Sequence, residues 1–408
     1  MSEETKILVT DCCIAGGGPA GLMLGYLLAR GGVDVTVLEK HADFLRDFRG
    51  DTVHPSTLEL MHELGLLDEF LKRPHQEFQE LFGQVGKEQV TIADFTHLPT
   101  VCKFVALMPQ WDFLNFIAEQ AAKHPSFHLL RETKAISLIE EDNTIKGLKA
   151  ESKTGPIEIR AKLTVGADGR HSTIRDQAKL PVEDLGAPMD VFWMKISRRE
   201  TDPVETFGHV DAGRILVMLN RDDYWQCAFV IPKGAAEQIK TKGLESFHKE
   251  ITNLAPFLSD RVGEIQDWTQ VSLLSVTVDR LKEWARPGLL CIGDAAHAMS
   301  PIGGVGINLA IQDAVATANL LASTLKRSSP TLAELQQVQH RRTFPTKVTQ
   351  GIQLFIQDRM IGRVLGSERA ITLPWPMKLL QKWSWLRRWP ARLVGVGVRP
   401  EHVSRDLR

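Results

Sequence analysis

Residues 12–21 read CCIAGGGPAG, and their order decides the fold. An apolar run ends in Gly16-Gly17-Gly18-Pro19-Ala20-Gly21, which satisfies G-x-G-x-x-G, and a further apolar stretch follows. The β-branched run at 33–38 then closes on Glu39, at about the 20-residue distance such folds use. Gly16 permits a sharp turn, Gly18 lets backbone approach a pyrophosphate, and Gly21 allows a helix to pack closely on a strand. Pro19 and Ala20 open that helix, whose unpaired N–H groups and partial positive charge favour phosphate. Glu39, with Lys40 beside it, is placed to accept hydrogen bonds from a ribose. The spacing predicts a βαβ unit over 7–40, with its helix over 19–30 stopping at Gly31-Gly32. A glycine turn alone is weak, but strand, turn, helix, second strand and terminal acid together point to a dinucleotide.

Outward from this unit, helices are predicted at 55–64 and 110–123, and strands at 127–131, 135–140, 144–150 and 157–159. A buried strand at 163–167 ends at Asp168-Gly169. Strand candidates dominate 180–280 (190–196, 214–219, 225–231 and 271–278), which predicts a sheet-rich domain inserted into the first. The chain then returns to a strand at 289–292 and a long helix at 306–325. The fold class is α/β. Segments 1–75, 109–179 and 284–330 are expected to form a Rossmann-type domain, 76–108 and 180–283 the inserted sheet-rich domain, and 331–408 a C-terminal helical region.

A chain of 408 residues with a formal net charge of -1 has no general attraction to nucleic acid. Five cysteines without C-x-x-C spacing, three of them (Cys12, Cys13, Cys291) in apolar strand-like runs, are expected to be buried free thiols in a reducing compartment. Residues 1–6 are polar, the apolar run at 7–15 is short for a signal peptide, and no apolar run has the length of a membrane span, so the expected location is cytoplasmic. Trp375, Trp383, Trp385 and Trp389 alternate with Lys378, Lys382, Arg387, Arg388 and Arg392. Two readings stay open for them: a brace whose tryptophans pack on the domains, or an interfacial helix giving peripheral contact with anionic membrane.

Two further motifs follow in order: GADGRHSTIR at 166–175, and CIGDAAHAMSP at 291–301 with GGVGIN at 303–308. With the glycine turn and Glu39, these resemble the group A flavoprotein monooxygenases, the family of p-hydroxybenzoate hydroxylase, over residues 7–325. The resemblance implies that the dinucleotide is FAD and that the inserted domain binds substrate. It places Asp294 on the ribityl hydroxyls, Arg49 near the pyrophosphate and Gln110 at the ribityl and phosphate region. It assigns Asp168 and Arg170 to a segment serving both FAD and NADPH. Gly304, Gly306, Ile307 and Asn308, at the start of the 306–325 helix, would face the flavin pyrimidine, where a helix N-terminus favours the charge of reduced flavin. Pro301 would line the reacting face of the ring; no other catalytic side chain is assigned. Each polar member also has a plainer reading: a turn or helix cap for Asp168, Asp294 and Gln110, and a surface ion pair for Arg49.

The implied reaction is NAD(P)H reduction of FAD, O2 addition at flavin C4a, and oxygen transfer from the hydroperoxide to an aromatic or polycyclic small molecule, without a metal. NADPH and NADH are not distinguished, since no second dinucleotide fingerprint is present. His297 is expected to be a structural part of its motif. Tyr26 and Tyr224 are the only tyrosines, so the tyrosine relay of p-hydroxybenzoate hydroxylase cannot be built. Strand alternation puts Gln226 and Ala228 on one face as substrate candidates with Pro301. Phe192, Met194, Met218 and Phe229 are read as an apolar pocket lining or as domain core. Two alternatives stay open: a flavin-dependent halogenase, from a faint likeness at 224–232, and a non-catalytic flavin-bearing protein that contacts membrane or a partner.

Overall fold

The computed structural model describes residues 5–45, 52–203, 206–367 and 372–408. Its first sheet grows from the strand Lys6–Ala15, which lies parallel between Val35–Leu38 and Gly155–Gly166. Phe127–Leu130 and Leu289–Cys291 extend the parallel set on either side. Strands covered on both faces need apolar residues at every position, and Val35–Leu38 and Leu289–Cys291 are buried throughout. The helices Pro19–Arg30, Gln110–Ala121 and Gly306–Leu325 share one apolar core with this sheet.

The segment Ile302–Leu325 is long and apolar enough to cross a membrane, contrary to the sequence expectation, but 72% of its apolar window is buried inside the protein. It is a core helix here. The strands predicted at 157–159 and 163–167 are one strand, Gly155–Gly166, because Val9 and Thr10 pair across the polar interruption with Arg160 and Ala161.

Register places the site. Ala15 stands opposite both Leu38 and Gly166, and Gly166 opposite Cys291. Four neighbouring parallel strands therefore stop in one row. The residues that follow their carboxyl ends are the glycine turn, Glu39, Asp168 and Asp294, and crevices at such ends are where α/β sheets bind ligands.

A second sheet of seven strands runs in the order Ser272–Leu274, Met189–Ser197, Tyr224–Pro232, Arg214–Asn220, Phe207–Asp211, Glu80–Val85, Glu88–Asp94. It thus joins segments on both sides of the 109–179 portion. Its two faces have different neighbours. Trp225, Cys227, Phe229 and Ile231 pack with Phe192, Met194 and Met218 against Phe247, Ile251 and Leu254 of the helix Leu244–Leu254. The four residues read as a possible pocket lining are therefore domain core. Val191, Ile215, Ala228 and Val230 occupy the opposite face, against Ile302, Ile361, Val364 and Leu365. The strand predicted at 271–278 stops at Leu274. The Asp190 carboxylate accepts the Val276 N–H at 3.0 Å and the Gly234 N–H at 2.9 Å, which diverts that backbone from the sheet.

The C-terminal region is helical, led by Leu332–Ile356. Its tail returns to the first domain: the Glu401 N–H donates to Gln312 at 3.0 Å, and the Arg30 Nε donates to the Leu407 carbonyl at 2.8 Å. The brace reading fails, because its tryptophans are not packed on the domains. Trp375, Trp383, Trp385 and Trp389 are 73%, 44%, 56% and 69% exposed.

Candidate cofactor site

The three motifs meet in pairs. Gly16 has φ +109, and a Cβ there would lie 2.3 Å from the Ala167 carbonyl oxygen, so the glycine turn sits directly against the second motif. A Cβ on Gly293 would lie 3.1 Å from that of Ala20, which brings the first helix onto the third motif. The second and third motifs join through Arg170, whose guanidinium stands 3.7 Å from the Asp294 carboxylate.

Within this frame the first turn is open. A Cβ on Gly18 would meet nothing within 4 Å, and Gly18 caps the helix Pro19–Arg30 without any side-chain hydrogen bond to its first N–H groups. Pro19 occupies the first helical turn, Ala20 is buried, and a Cβ on Gly21 would strike the Gly16 carbonyl. The free N–H groups, a backbone that admits close approach and a bare helix N-terminus suit a pyrophosphate. Glu39 follows its strand as expected and is buried beside Gly17; its Oε1 accepts the His41 N–H at 2.9 Å. Lys40 is exposed.

Asp294 lies on a short turn after Leu289–Cys291, and its ion pair with Arg170 is its one side-chain partner among the described residues. Among the described residues it caps no backbone N–H, so its oxygens can accept from a polyol. Asp168 differs. Its carboxylate accepts from Ser172 Oγ and, at 3.2 Å, from the Ile174 N–H, holding its own turn together as the plainer reading had it. Burial raises its pKa despite those hydrogen bonds. Gln110 begins the helix Gln110–Ala121 and is half-buried; the capping position belongs to Pro109. Arg49 lies outside the described residues.

The third motif continues into Pro301, which is partly exposed, and a loop with Gly303 at φ +75 and Gly304 at φ +61. A Cβ on Gly304 would lie 2.3 Å from Thr52 Oγ1, so the loop is pressed onto the segment before the helix Pro55–Glu63. Gly306 opens the helix Gly306–Leu325, and Ile307 is buried behind it. Asn308 departs from expectation: its Oδ1 accepts from the His54 N–H at 3.0 Å and Thr57 Oγ1 at 2.7 Å, and its Nδ2 donates to the Thr52 carbonyl at 3.2 Å. Its side chain is used up fastening this segment, which leaves only its backbone for a ligand.

Two residues that support the third motif were missed from sequence. Asp313 accepts from the Gly293 N–H at 3.0 Å and from Arg342 Nε at 2.8 Å, and lies 2.6 Å from His297 Nε2. Burial pushes the Asp313 carboxyl up, but His297 and Arg342 outweigh it and hold the pKa below its ordinary value. His297, with its ring 5.0 Å from that of Trp284, is thus structural, as expected. The signal for Asp313 was visible: it is the one acid in an otherwise uncharged 20-residue helix. On the second sheet Ala228 lies in the cluster that Ile302 packs against, while the amide oxygen of Gln226 accepts from Arg221 Nε at 3.1 Å.

Comparison with known proteins agrees with this geometry. Residues 9–351 match a family model described as FAD binding domain. The chain is 33% identical over 365 residues to a 6-methylpretetramide 4-monooxygenase of Streptomyces rimosus, covering 88% of this chain and 87% of that protein. Among solved structures, PqsL of Pseudomonas aeruginosa superposes with a TM-score of 0.75 at 22% identity, over 87% of this chain and 97% of that one. The OxyS anhydrotetracycline hydroxylase of Streptomyces rimosus gives 0.74 at 23% identity, over 97% and 77%. At those identities the two structures establish the fold alone. Family model, curated relative and shared fold agree: the chain belongs to the FAD-binding-domain family and is an FAD-dependent, NAD(P)H-consuming monooxygenase of the group A flavoprotein type.

Proposed function

We propose that this enzyme, acting in the cytoplasm, hydroxylates a polycyclic phenolic molecule of the class named for its two Streptomyces rimosus relatives, 6-methylpretetramide and anhydrotetracycline. The observation that carries the substrate reading is the apolar sheet face of Val191, Ile215, Ala228 and Val230. It packs against Ile302, the residue after Pro301, and also against Ile361, Val364 and Leu365. A fused, largely apolar ring system needs such a wall, with few polar groups to orient it. Gln226, already held by Arg221, is proposed to fix the shape of that face rather than to bind substrate.

The site residues take these proposed roles. The N–H groups of Gly18 and Ala20, on either side of Pro19, which has none, bind the pyrophosphate, Glu39 the adenosine ribose and Asp294 the ribityl hydroxyls. The Gly304–Ile307 backbone, at a helix N-terminus, stabilises negative charge on the pyrimidine side of the ring. FAD held by these residues would supply the redox chemistry, as the acceptor for NAD(P)H and the group that activates O2. The protein orients substrate against Pro301 and excludes water. Arg170 is positioned to hold Asp294 in place.

The test is a screen of polycyclic phenols for accelerated NAD(P)H oxidation, with product mass measured under labelled O2. The expected result is a product carrying one atom from O2. Oxidation that no polycyclic phenol accelerates, or a product without labelled oxygen, overturns the substrate reading.

A further inference from the structure

The helices Trp375–Lys382 and Arg388–Gly395 have two unlike sides. Inward, Met377 packs on the cluster of Val85, Val90 and Leu373, and Ala391 on that of Ala93, Phe95 and Leu98, at the outer strand of the second sheet. Outward stand the four exposed tryptophans. Among and just after them Lys378, Lys382, Arg388 and Arg392 are also exposed. Residues 372–400 contain no acid, so these helices carry only positive charge on a chain whose formal net charge is -1; the nearby acids belong to the strand beneath, where Asp94 lies close to Arg388. Exposing four indoles to water is unfavourable, and a protein core would have covered them. Indole beside lysine and arginine suits one environment in particular, the interface of a bilayer with anionic headgroups.

We propose that this face docks the enzyme on an anionic lipid surface, with the tryptophans at headgroup depth and the basic side chains on the phosphates. The docking element also reaches the site. The Val394 carbonyl is 2.7 Å from His54 Nδ1, and a Cβ on Gly303 would lie 3.8 Å from Val394 Cγ2. Docking therefore sets the flavin loop one helix away from the lipid, which suits an apolar substrate drawn from the membrane. The docking itself does not depend on which substrate is hydroxylated.

Sedimentation of the FAD-loaded full chain with vesicles tests it. Vesicles of phosphatidylcholine with one-third phosphatidylglycerol are compared with phosphatidylcholine alone. The wild type is expected to pellet with the former and stay in solution with the latter. Lys378→Gln/Lys382→Gln/Arg392→Gln should lower the partition coefficient by about a hundredfold, taking roughly fivefold per basic residue. Trp375→Ser/Trp389→Ser should lower it as well. Bound flavin, read from the visible spectrum, should be unchanged in both variants. Wild type that remains in solution with the anionic vesicles overturns the proposal, as does pelleting that neither variant reduces. A self-association in analytical ultracentrifugation that the tryptophan variant abolishes, without vesicle binding, also overturns it and assigns the face to a second copy of the chain.

Discussion

At the scale of single residues, the site rests on positions where a side chain is forbidden and positions where one is left free. Gly16→Ala would place a methyl 2.3 Å from the Ala167 oxygen at a positive φ, so we expect a loss of about 1–3 kcal/mol in urea denaturation together with lost flavin. His54 adds a pH dependence. Burial drives its pKa from 6.5 to about 4, against the opposing hydrogen bond to the Val394 carbonyl. The unfolded chain therefore takes up this proton before the folded one does. Stability should be fully present above pH 6.5 and fall between pH 6.5 and 4, by up to about 3 kcal/mol from this group. Denaturation curves across that window should flatten in His54→Gln. The glycines were legible because a missing side chain is itself a sequence signal. His54 was not, since its burial depends on Val394 and Asn308, both more than 250 residues away.

At the scale of elements, periodicity announced what local packing decides and hid what distant side chains decide. The glycine turn, its helix and the strands beside it lie where the apolar pattern put them. The helix Leu244–Leu254 was missed within a strand-rich stretch, although Phe247, Ile251 and Leu254 recur at helical spacing. The 271–278 strand was over-read because nothing local shows that the Asp190 carboxylate captures the Val276 N–H. The helix Leu332–Ile356 contributes Arg342, fully buried against Asp313 and 3.5 Å from Glu401. Arg342→Met should cost about 3–5 kcal/mol in chemical denaturation, because Asp313 keeps its charge and loses a partner. It should also weaken FAD binding, since Asp313 holds the Gly293 N–H that shapes the turn carrying Asp294. A variant with wild-type stability would show that this ion network does not support the third motif.

At the scale of the whole molecule, three motifs far apart in sequence come together because parallel strands in register end in one row. Their order was readable; their contacts were not, since Arg170 with Asp294 and Ala20 with Gly293 exist only once the sheet is assembled. The substrate side was hardest to foresee. Alternation separated the two faces of Tyr224–Pro232 correctly, but which face a helix covers and which meets Ile302 is a tertiary fact. All five cysteines are buried and free, and burial raises the pKa of each. Ellman's reagent should accordingly find almost no reactive thiol in the native protein and all five after denaturation. The central claim is that the three motifs form a single FAD site. Titration of FAD into apoprotein, followed calorimetrically for wild type and Asp294→Ala, tests it most directly. The account predicts one FAD per chain, with Kd raised about 10–100-fold in the variant through loss of a charged hydrogen-bond acceptor while the fold is kept. Wild-type protein that binds no FAD, or a variant that binds it as tightly as wild type, would contradict it.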